Sequence, residues 1–357
     1  MINKEFYKDI EIISEVKGLP KELLFEGFRK ALLNGFKKKY GHTSARVEFK
    51  PEKNEIFMYS QHLVVEEYQE LEECEYQQML LSDAKAISSR YKVGDIVEQS
   101  INIKEFTRVE SNTCKQVFIQ QIKIFEKEKA YNYFKSMENE MIVAEIIDIK
   151  KDEFLTLSIG ENVTTLLPVK ELLPNDNFEI GDKINVYITM VEQGTKGPKV
   201  FVSRNTRDLV TRLLELHIPE LSDGVVEIMG LARDAGDRTK IAVYSHLPQV
   251  DPIGACVGEN GLRIKEVVDA LNGEKIDLYR WSSDPYELIT NALQPSEVIK
   301  VINLNQKDKS AIAIVPDNQL SLAIGKSGQN VRLAVLSSGW KIDIKSVSQA
   351  VSEGVKF

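Results

Sequence analysis

The sequence has little cysteine, little histidine, no long apolar run and no surplus of positive charge. Cys74, Cys114 and Cys256 are odd in number and scattered, so neither a disulfide framework nor a C-x-x-C metal site can be built from them. His42, His62, His217 and His246 are dispersed without triad or metal-ligand spacing. No metal or cofactor is therefore expected, nor an enzyme. No stretch approaches the roughly 18 to 20 uninterrupted apolar residues of a membrane helix. Residues 1–15 mix acidic with apolar side chains, unlike a signal peptide. The expectation is a soluble, cytoplasmic, monomeric protein with no membrane partner. A formal net charge of −8 argues against a surface that binds polyanions everywhere, so any nucleic-acid contact must be local.

A hydrophobic content of 43% excludes a disordered chain, and 357 residues suit three or four small domains better than one core. The most informative feature is a repeated loop, Gly258-Glu259-Asn260-Gly261 and Gly325-Lys326-Ser327-Gly328, each between short apolar segments. Lys275-Ile276-Asp277 recurs as Lys341-Ile342-Asp343 at nearly the same offset, about 67 residues. Loop and following strand are thus duplicated together. Each copy reads as strand, strand, helix, loop, helix, strand, over 225–231, 240–243, 252–257, 262–272 and 275–281, then 298–304, 311–315, 319–324, 329–336 and 341–347. Gly273 and Gly339 close the second helix of each copy. Ile264, Val267, Val268 and Leu271 in one, and Leu320, Ala323 and Ile324 in the other, recur at helical spacing and predict a packed face that leaves the loop exposed.

Glycine at both ends of such a loop lets a backbone approach a sugar-phosphate chain and adopt positive φ. The helix that follows offers free N–H groups and roughly +0.5 charge, favouring a phosphate by about 0.3 to 1 kcal/mol when exposed. A P-loop is excluded, because Leu320 stands where G-x-x-x-x-G-K-[ST] needs glycine. Helix, loop, helix, strand and a second copy resemble tandem KH domains, which clamp about four nucleotides of single-stranded RNA. The candidate RNA contacts are Gly258, Asn260, Gly261 and Arg263 in the first copy, and Gly325, Lys326, Ser327, Gly328, Asn330 and Arg332 in the second. Arg233, Arg238 and Lys240, before the first loop, join them. Lys326, Arg332, Lys341 and Lys345 face only Asp343 in the second tract, whereas Glu259, Glu266, Asp269 and Glu274 dilute the first. The second loop is expected to grip phosphate better.

Towards the N-terminus, Phe6, Ile10 and Ile13 share a helical face over 4–16, and Gly18-Leu19-Pro20 breaks it. Pro20 suits the first position of a second helix, which runs to about residue 39, buries Leu24, Phe28, Ala31 and Leu32, and ends in a lysine run that complements its dipole. Strands over 45–49 and 55–59 complete a compact α+β domain, and 113–140, free of Pro and Gly, reads as a long linking helix. Five short β-rich runs follow, 141–149, 154–159, 163–167, 183–191 and 199–203, as a small OB-type barrel requires. Its aromatics Phe154, Phe178, Tyr187 and Phe201 are either core or a stacking platform worth roughly 1 to 3 kcal/mol per base.

This order of parts resembles the NusA family of bacterial transcription elongation and termination factors. The most specific stretches are Ala232-Arg233-Asp234-Ala235-Gly236-Asp237-Arg238-Thr239-Lys240-Ile241-Ala242-Val243, Asp251-Pro252-Ile253-Gly254-Ala255-Cys256-Val257-Gly258 and Leu322-Ala323-Ile324-Gly325-Lys326-Ser327-Gly328-Gln329-Asn330-Val331-Arg332. The resemblance implies a multidomain α+β chain: an RNA polymerase-binding domain with its linking helix over 1–135, an S1-type barrel over 136–204, and type II KH domains over 205–283 and 284–350. It also implies docking on core RNA polymerase near the β flap and RNA exit channel, contact with nascent single-stranded RNA and hairpins, and partnership with other Nus factors, so that pausing, intrinsic termination and antitermination are modulated. Phe106, Arg108, Lys115 and Gln116 fall on a matching stretch, which makes Arg108 and Lys115, with Lys37 and Lys38, the exit-channel RNA candidates. Glu259 departs from the family pattern by placing a carboxylate in the first loop, where it repels phosphate. Arg207 and Asn318 stand where proline is common, and the acidic C-terminal repeats of some members are expected to be missing. Two alternatives stay open: an RNA-binding or ribosome-associated module that does not bind polymerase, and a component of RNA degradation.

Overall fold

The computed structural model describes residues 5–68 and 76–354; Cys74 lies outside them. The chain forms two compact units, one running to Tyr133 and taking in Thr195–Pro198, the other comprising Phe134–Gly194 and the residues from Lys199 onward.

In the first unit, α1 (Phe6–Lys17) stops where Gly18 turns left-handed at φ 58°. α2 (Lys21–Tyr40) follows. Pro20, expected as its first helical residue, is instead its cap, because ψ 139° keeps it extended. On the buried face of α2, Ala31, Leu32 and Phe36 pack with Val47 of β1 (Ala45–Lys50), while Leu24 packs with Ile10 of α1 and Leu19. β2 (Glu55–Val65) pairs antiparallel with β1 and continues past the expected strand end. There it gains β3 (Gln77–Leu80), which is parallel to it and leads into α3 (Leu81–Ile87), and the antiparallel β4 (Ile96–Ile101). α4 (Arg108–Ser136) is the long helix, beginning earlier than the sequence pattern suggests. A Cβ on Gly35 of α2 would strike Cys114 Sγ of α4, so glycine there lets the two helices touch.

The second unit opens with a five-stranded antiparallel barrel: β5 (Met141–Lys150), β6 (Phe154–Ser158), β7 (Thr164–Pro168), β8 (Lys183–Gly194) and β9 (Gly197–Ser203). Its order is β7-β6-β5-β8-β9, and Thr165 Oγ1 donates to Val200 O to draw the two edge strands together. Alternating inward residues, among them Ala144, Ile146, Leu155, Leu157, Val186 and Ile188, fill it.

Two KH-like modules follow. The first comprises α5 (Arg207–His217), α6 (Pro219–Ser222), β10 (Val226–Asp234), β11 (Arg238–Ser245), α7 (Pro252–Val257), α8 (Leu262–Ala270) and β12 (Lys275–Arg280). The second comprises α9 (Pro285–Ala292), β13 (Lys300–Asn305), β14 (Ser310–Val315), α10 (Leu320–Ile324), α11 (Gln329–Ser338), β15 (Lys341–Ser346) and α12 (Val347–Ser352). In each sheet the first two strands are antiparallel and the third runs parallel to the second. The repeated Lys-Ile-Asp segments hold matching places, Lys275 opposite Arg238 and Lys341 opposite Ser310. Each module also begins with a helix that the strand-first reading misses; Thr206 and Asp284 cap these helices through their side chains.

Buried polar contacts tie the three modules of this unit together. Arg204, 1% exposed, donates to both oxygens of Asp176 at 2.7 and 3.0 Å, to Asn185 O at 2.7 Å and to Ala270 O at 3.1 Å. Barrel and first KH module are thereby pinned at one guanidinium. The two KH modules share a core in which Ala242 and Tyr279 meet Leu288, Ile289, Ala292 and Trp340. At the β10 bulge a Cβ on Gly230 would collide with Ser337 O of α11, and Tyr279 Oη donates to Ser337 Oγ at 2.9 Å.

Candidate nucleic-acid interface

Each glycine loop joins a short helix to a longer one. α7 ends at Gly258 (φ 72°, ψ −179°) and α8 starts from Gly261 (φ 76°). α10 ends at Gly325 (φ 76°, ψ 172°) and α11 starts from Gly328 (φ 75°). Asn260 and Ser327 between them both sit at φ 53°. The two loops therefore share one backbone shape with different side chains. The glycines within a loop do different things. A Cβ on Gly258 would lie 2.7 Å from Arg263 Cγ, and one on Gly325 2.7 Å from the backbone nitrogen of Asn330. Nothing lies within 4 Å of a Cβ at Gly261 or Gly328. The first glycine is thus required by the helix that follows, while the second stands in open space at a positive φ. Neither α8 nor α11 has a side-chain cap; the first amide of each, on Leu262 and Gln329, donates to Glu259 O and Lys326 O within the loop, and the helix end that follows favours an anion.

Charge separates the loops. Glu259 and Asn260 are exposed in the first, Lys326 and Ser327 in the second. Apolar side chains flank both: Leu262 is 58% exposed, Leu322 45% and Ile324 37%. Ile324, expected on the packed face of its helix, is turned out because α10 has only 5 residues and buries Ala323 alone. Leu262 and Leu322 are not among the candidate contacts that the sequence offers. Their signal is an apolar residue beside the loop that falls off the helical repeat of core positions.

The arginines divide into two groups. Arg263 donates to Glu220 at 2.7 Å and to Ala255 O at 2.8 Å, Arg332 to Asp234 at 2.6 Å, and Arg238 to Asp277 at 3.1 Å. All three keep part of their side chain exposed. Arg233 and Lys240, expected to touch RNA, are buried. Arg233 is paired with both oxygens of Glu274 and donates to Arg204 O and Thr206 O. Lys240, 1% exposed, donates to Ala292 O at 2.9 Å and Gln294 O at 2.7 Å, and so caps the C-terminal end of α9. Burial pushes its pKa down to about 8, with nearby Asp277 opposing. Asn330 is likewise buried, its amide spent on Leu293 O and Ala323 O. These three hold the modules and loops in place and cannot reach a ligand.

Comparison with known proteins agrees with this arrangement. The NusA N-terminal domain matches residues 5–128, the NusA-like first KH domain 204–281 and the NusA-like second KH domain 285–352. The transcription termination/antitermination protein NusA of Bacillus subtilis is 41% identical over 99% of this chain and 94% of its own length. That of Halalkalibacterium halodurans is 42% identical over 99% of this chain and 91% of its own, and that of Thermus thermophilus 34% identical over 96% and 89%. This chain belongs to the NusA family. It is accordingly a transcription termination/antitermination factor with KH RNA-binding modules.

Within this NusA-family fold, Arg108 and Lys115 lie exposed near the start of α4, and Lys37 and Lys38 lie exposed in the last turn of α2. Lys39 reaches Glu105 O at 3.2 Å and sits 5.9 Å from the Phe106 ring, bringing that helix end beside the start of α4. The four candidates thus share one end of the first unit. On the barrel, Tyr187 is core at 7% exposure and Phe201 is exposed at 41%. Lys150 lies over Phe154 and Arg204 over Phe178. Among the described residues no group of His, Cys, Asp or Glu could hold a metal ion, and no helix is long and apolar enough to cross a membrane.

Proposed function

We propose that this NusA-family chain links core RNA polymerase to its nascent transcript, and so modulates pausing, intrinsic termination and antitermination. The first unit docks near the RNA exit channel and the β flap, where Lys37, Lys38, Arg108 and Lys115 meet emerging RNA. The second unit binds single-stranded RNA at the two glycine loops, and other Nus factors join the complex. The observation that carries the RNA reading is the paired loop geometry: an open left-handed glycine, Gly261 or Gly328, heading an uncapped helix. A phosphate is held at that helix end, and bases rest on Leu262, Leu322 and Ile324. Gly258, Asn260, Arg263, Gly325, Lys326, Ser327, Arg332 and Arg238 line or approach that path. Lys326 makes the second loop the stronger site, and Glu259 weakens the first.

Each contact is weak alone, but tethering to polymerase raises the effective RNA concentration, so weak sites suffice. The test is Gly328→Asp. Aspartate tolerates a left-handed φ better than most residues and meets no atom there, so the fold is retained while a negative charge enters the phosphate site. Fluorescence anisotropy with single-stranded RNA is expected to register a loss of affinity of tenfold or more, roughly 1.4 kcal/mol. Unchanged RNA affinity would refute the loop assignment.

A further inference from the structure

The turn between β10 and β11, Asp234-Ala235-Gly236-Asp237, belongs to the first KH module yet touches the recognition helix of the second. Asp234 Oδ2 accepts from Arg332 Nη2 at 2.6 Å and from Gln329 Nε2 at 2.7 Å, and Asp237 Oδ2 accepts from the same Gln329 nitrogen at 2.6 Å. Gln329 and Arg332 both lie in the opening turn of α11, directly after Gly328. The turn is firmly held. Gly236 N donates to buried Glu274 at 2.8 Å, Asn175 of the barrel donates to Gly236 O at 2.7 Å, and a Cβ on Gly236 would lie 2.5 Å from Pro174 Cδ. Glu274 is itself fixed by Arg233 and Thr239. All three modules of the unit therefore grip one turn, and its two carboxylates stand beside the open end of the second loop's helix.

We propose that Asp234 and Asp237 set the RNA affinity of the second loop by competing with phosphate for Arg332 and for the open end of α11. With no RNA bound, the carboxylates occupy the electrostatic place of a phosphate. RNA engages fully only when Arg332 exchanges Asp234 for the sugar-phosphate backbone. Arg332 and Asp234 keep 56% and 39% of their side chains exposed, so the exchange uncovers no buried charge. The transfer of Arg332 to phosphate releases the counterion condensed on that phosphate whether or not Asp234 held the guanidinium beforehand, so the competition lowers affinity without removing the salt dependence of the contact. The competition also explains how one loop of tandem KH modules is tuned by a residue of the other. This inference rests on the RNA-binding reading above.

The experiment titrates a labelled, randomised single-stranded RNA with the full chain, with Asp234→Asn, with Arg332→Gln and with the double variant, over a range of salt concentrations. Gly328→Asp serves as the control for the loop itself. Asp234→Asn is expected to tighten binding about two- to fivefold, the span of a half-exposed ion pair. The salt slope is expected to stay nearly the same, because Arg332 neutralises the same phosphate in both proteins. The gain should vanish in the Arg332→Gln background. Unchanged or weaker binding by Asp234→Asn, with Gly328→Asp still impaired, would overturn the competition and leave the loop assignment standing; weaker binding would make Asp234 an aligning group instead. A gain that persists without Arg332 would also overturn it. Absence of RNA binding by the unaltered chain would overturn both readings.

Discussion

Gly325 and Gly328 have nearly the same left-handed φ, 76° and 75°, but different surroundings. A side chain at Gly325 must push against the backbone of Asn330, while one at Gly328 projects into open space. Gly325→Ala is therefore expected to cost roughly 2 to 4 kcal/mol, combining backbone strain with a clash that rigid backbone cannot relieve. Gly328→Ala is expected to cost about 1 kcal/mol, the ordinary price of a left-handed alanine. Urea unfolding of the two variants checks this, and equal losses would contradict the division of labour within the loop. The glycines were legible because a positive φ leaves a local mark in sequence. Arg233, Lys240 and Asn330 look like RNA contacts in the sequence because residue type carries no depth. A signal did exist for Lys240: it opens the run Ile241-Ala242-Val243, and an unbroken apolar run indicates a strand covered on both faces.

Among the elements, the five barrel strands and the helix-loop-helix pairs follow directly from turn punctuation and apolar spacing, and they stand close to the expected places. α5 and α9 fall outside a strand-first reading of each repeat, although Thr206 and the Asp284-Pro285 pair are plain helix starts. β3, α3 and β4 are hidden from the sequence for another reason. β3 pairs parallel with β2 and β4 is reached only after α3, so no tight hairpin turn marks either pairing in the sequence. Contacts between elements are less legible still, and Lys240 illustrates their consequence. Its pKa in the fold, about 8, lies well below the ordinary lysine value of 10.5. Between those two values the unfolded chain binds the proton more tightly, so stability rises with pH, by up to about 1.4 kcal/mol per pH unit. Denaturant midpoints measured from about pH 8 to about pH 10 are expected to climb for the unaltered chain relative to Lys240→Met. Parallel curves would show that the lysine titrates normally.

On the scale of the whole molecule, the second unit acts as one body because its junctions are buried, apolar between the KH modules and centred on Arg204 at the barrel. Arg204 and Asp176 have side chains 1% and 0% exposed, so Arg204→Met would strand a buried carboxylate at a cost of roughly 3 to 5 kcal/mol. Limited proteolysis is expected to cut this variant near residue 204, between barrel and first KH module, well before the unaltered chain; an unchanged pattern would mean that the apolar core in which Leu173 and Tyr187 of the barrel join Leu209, Leu213 and Leu271 suffices. A rigid second unit presents both loops at fixed spacing, which is what multivalent binding of one RNA strand requires. The central claim is that polymerase attachment resides in the first unit and capture of free single-stranded RNA in the second, the four cations of the first unit meeting RNA only once it is docked on polymerase. It is tested most directly by passing the full chain and a Gly261→Asp/Gly328→Asp variant over a sizing column with core RNA polymerase, and measuring the RNA affinity of each. Both are expected to co-migrate with polymerase, while only the unaltered chain retains RNA affinity. Failure of the unaltered chain to co-migrate, or loss of polymerase binding together with RNA binding in a folded variant, would contradict the account.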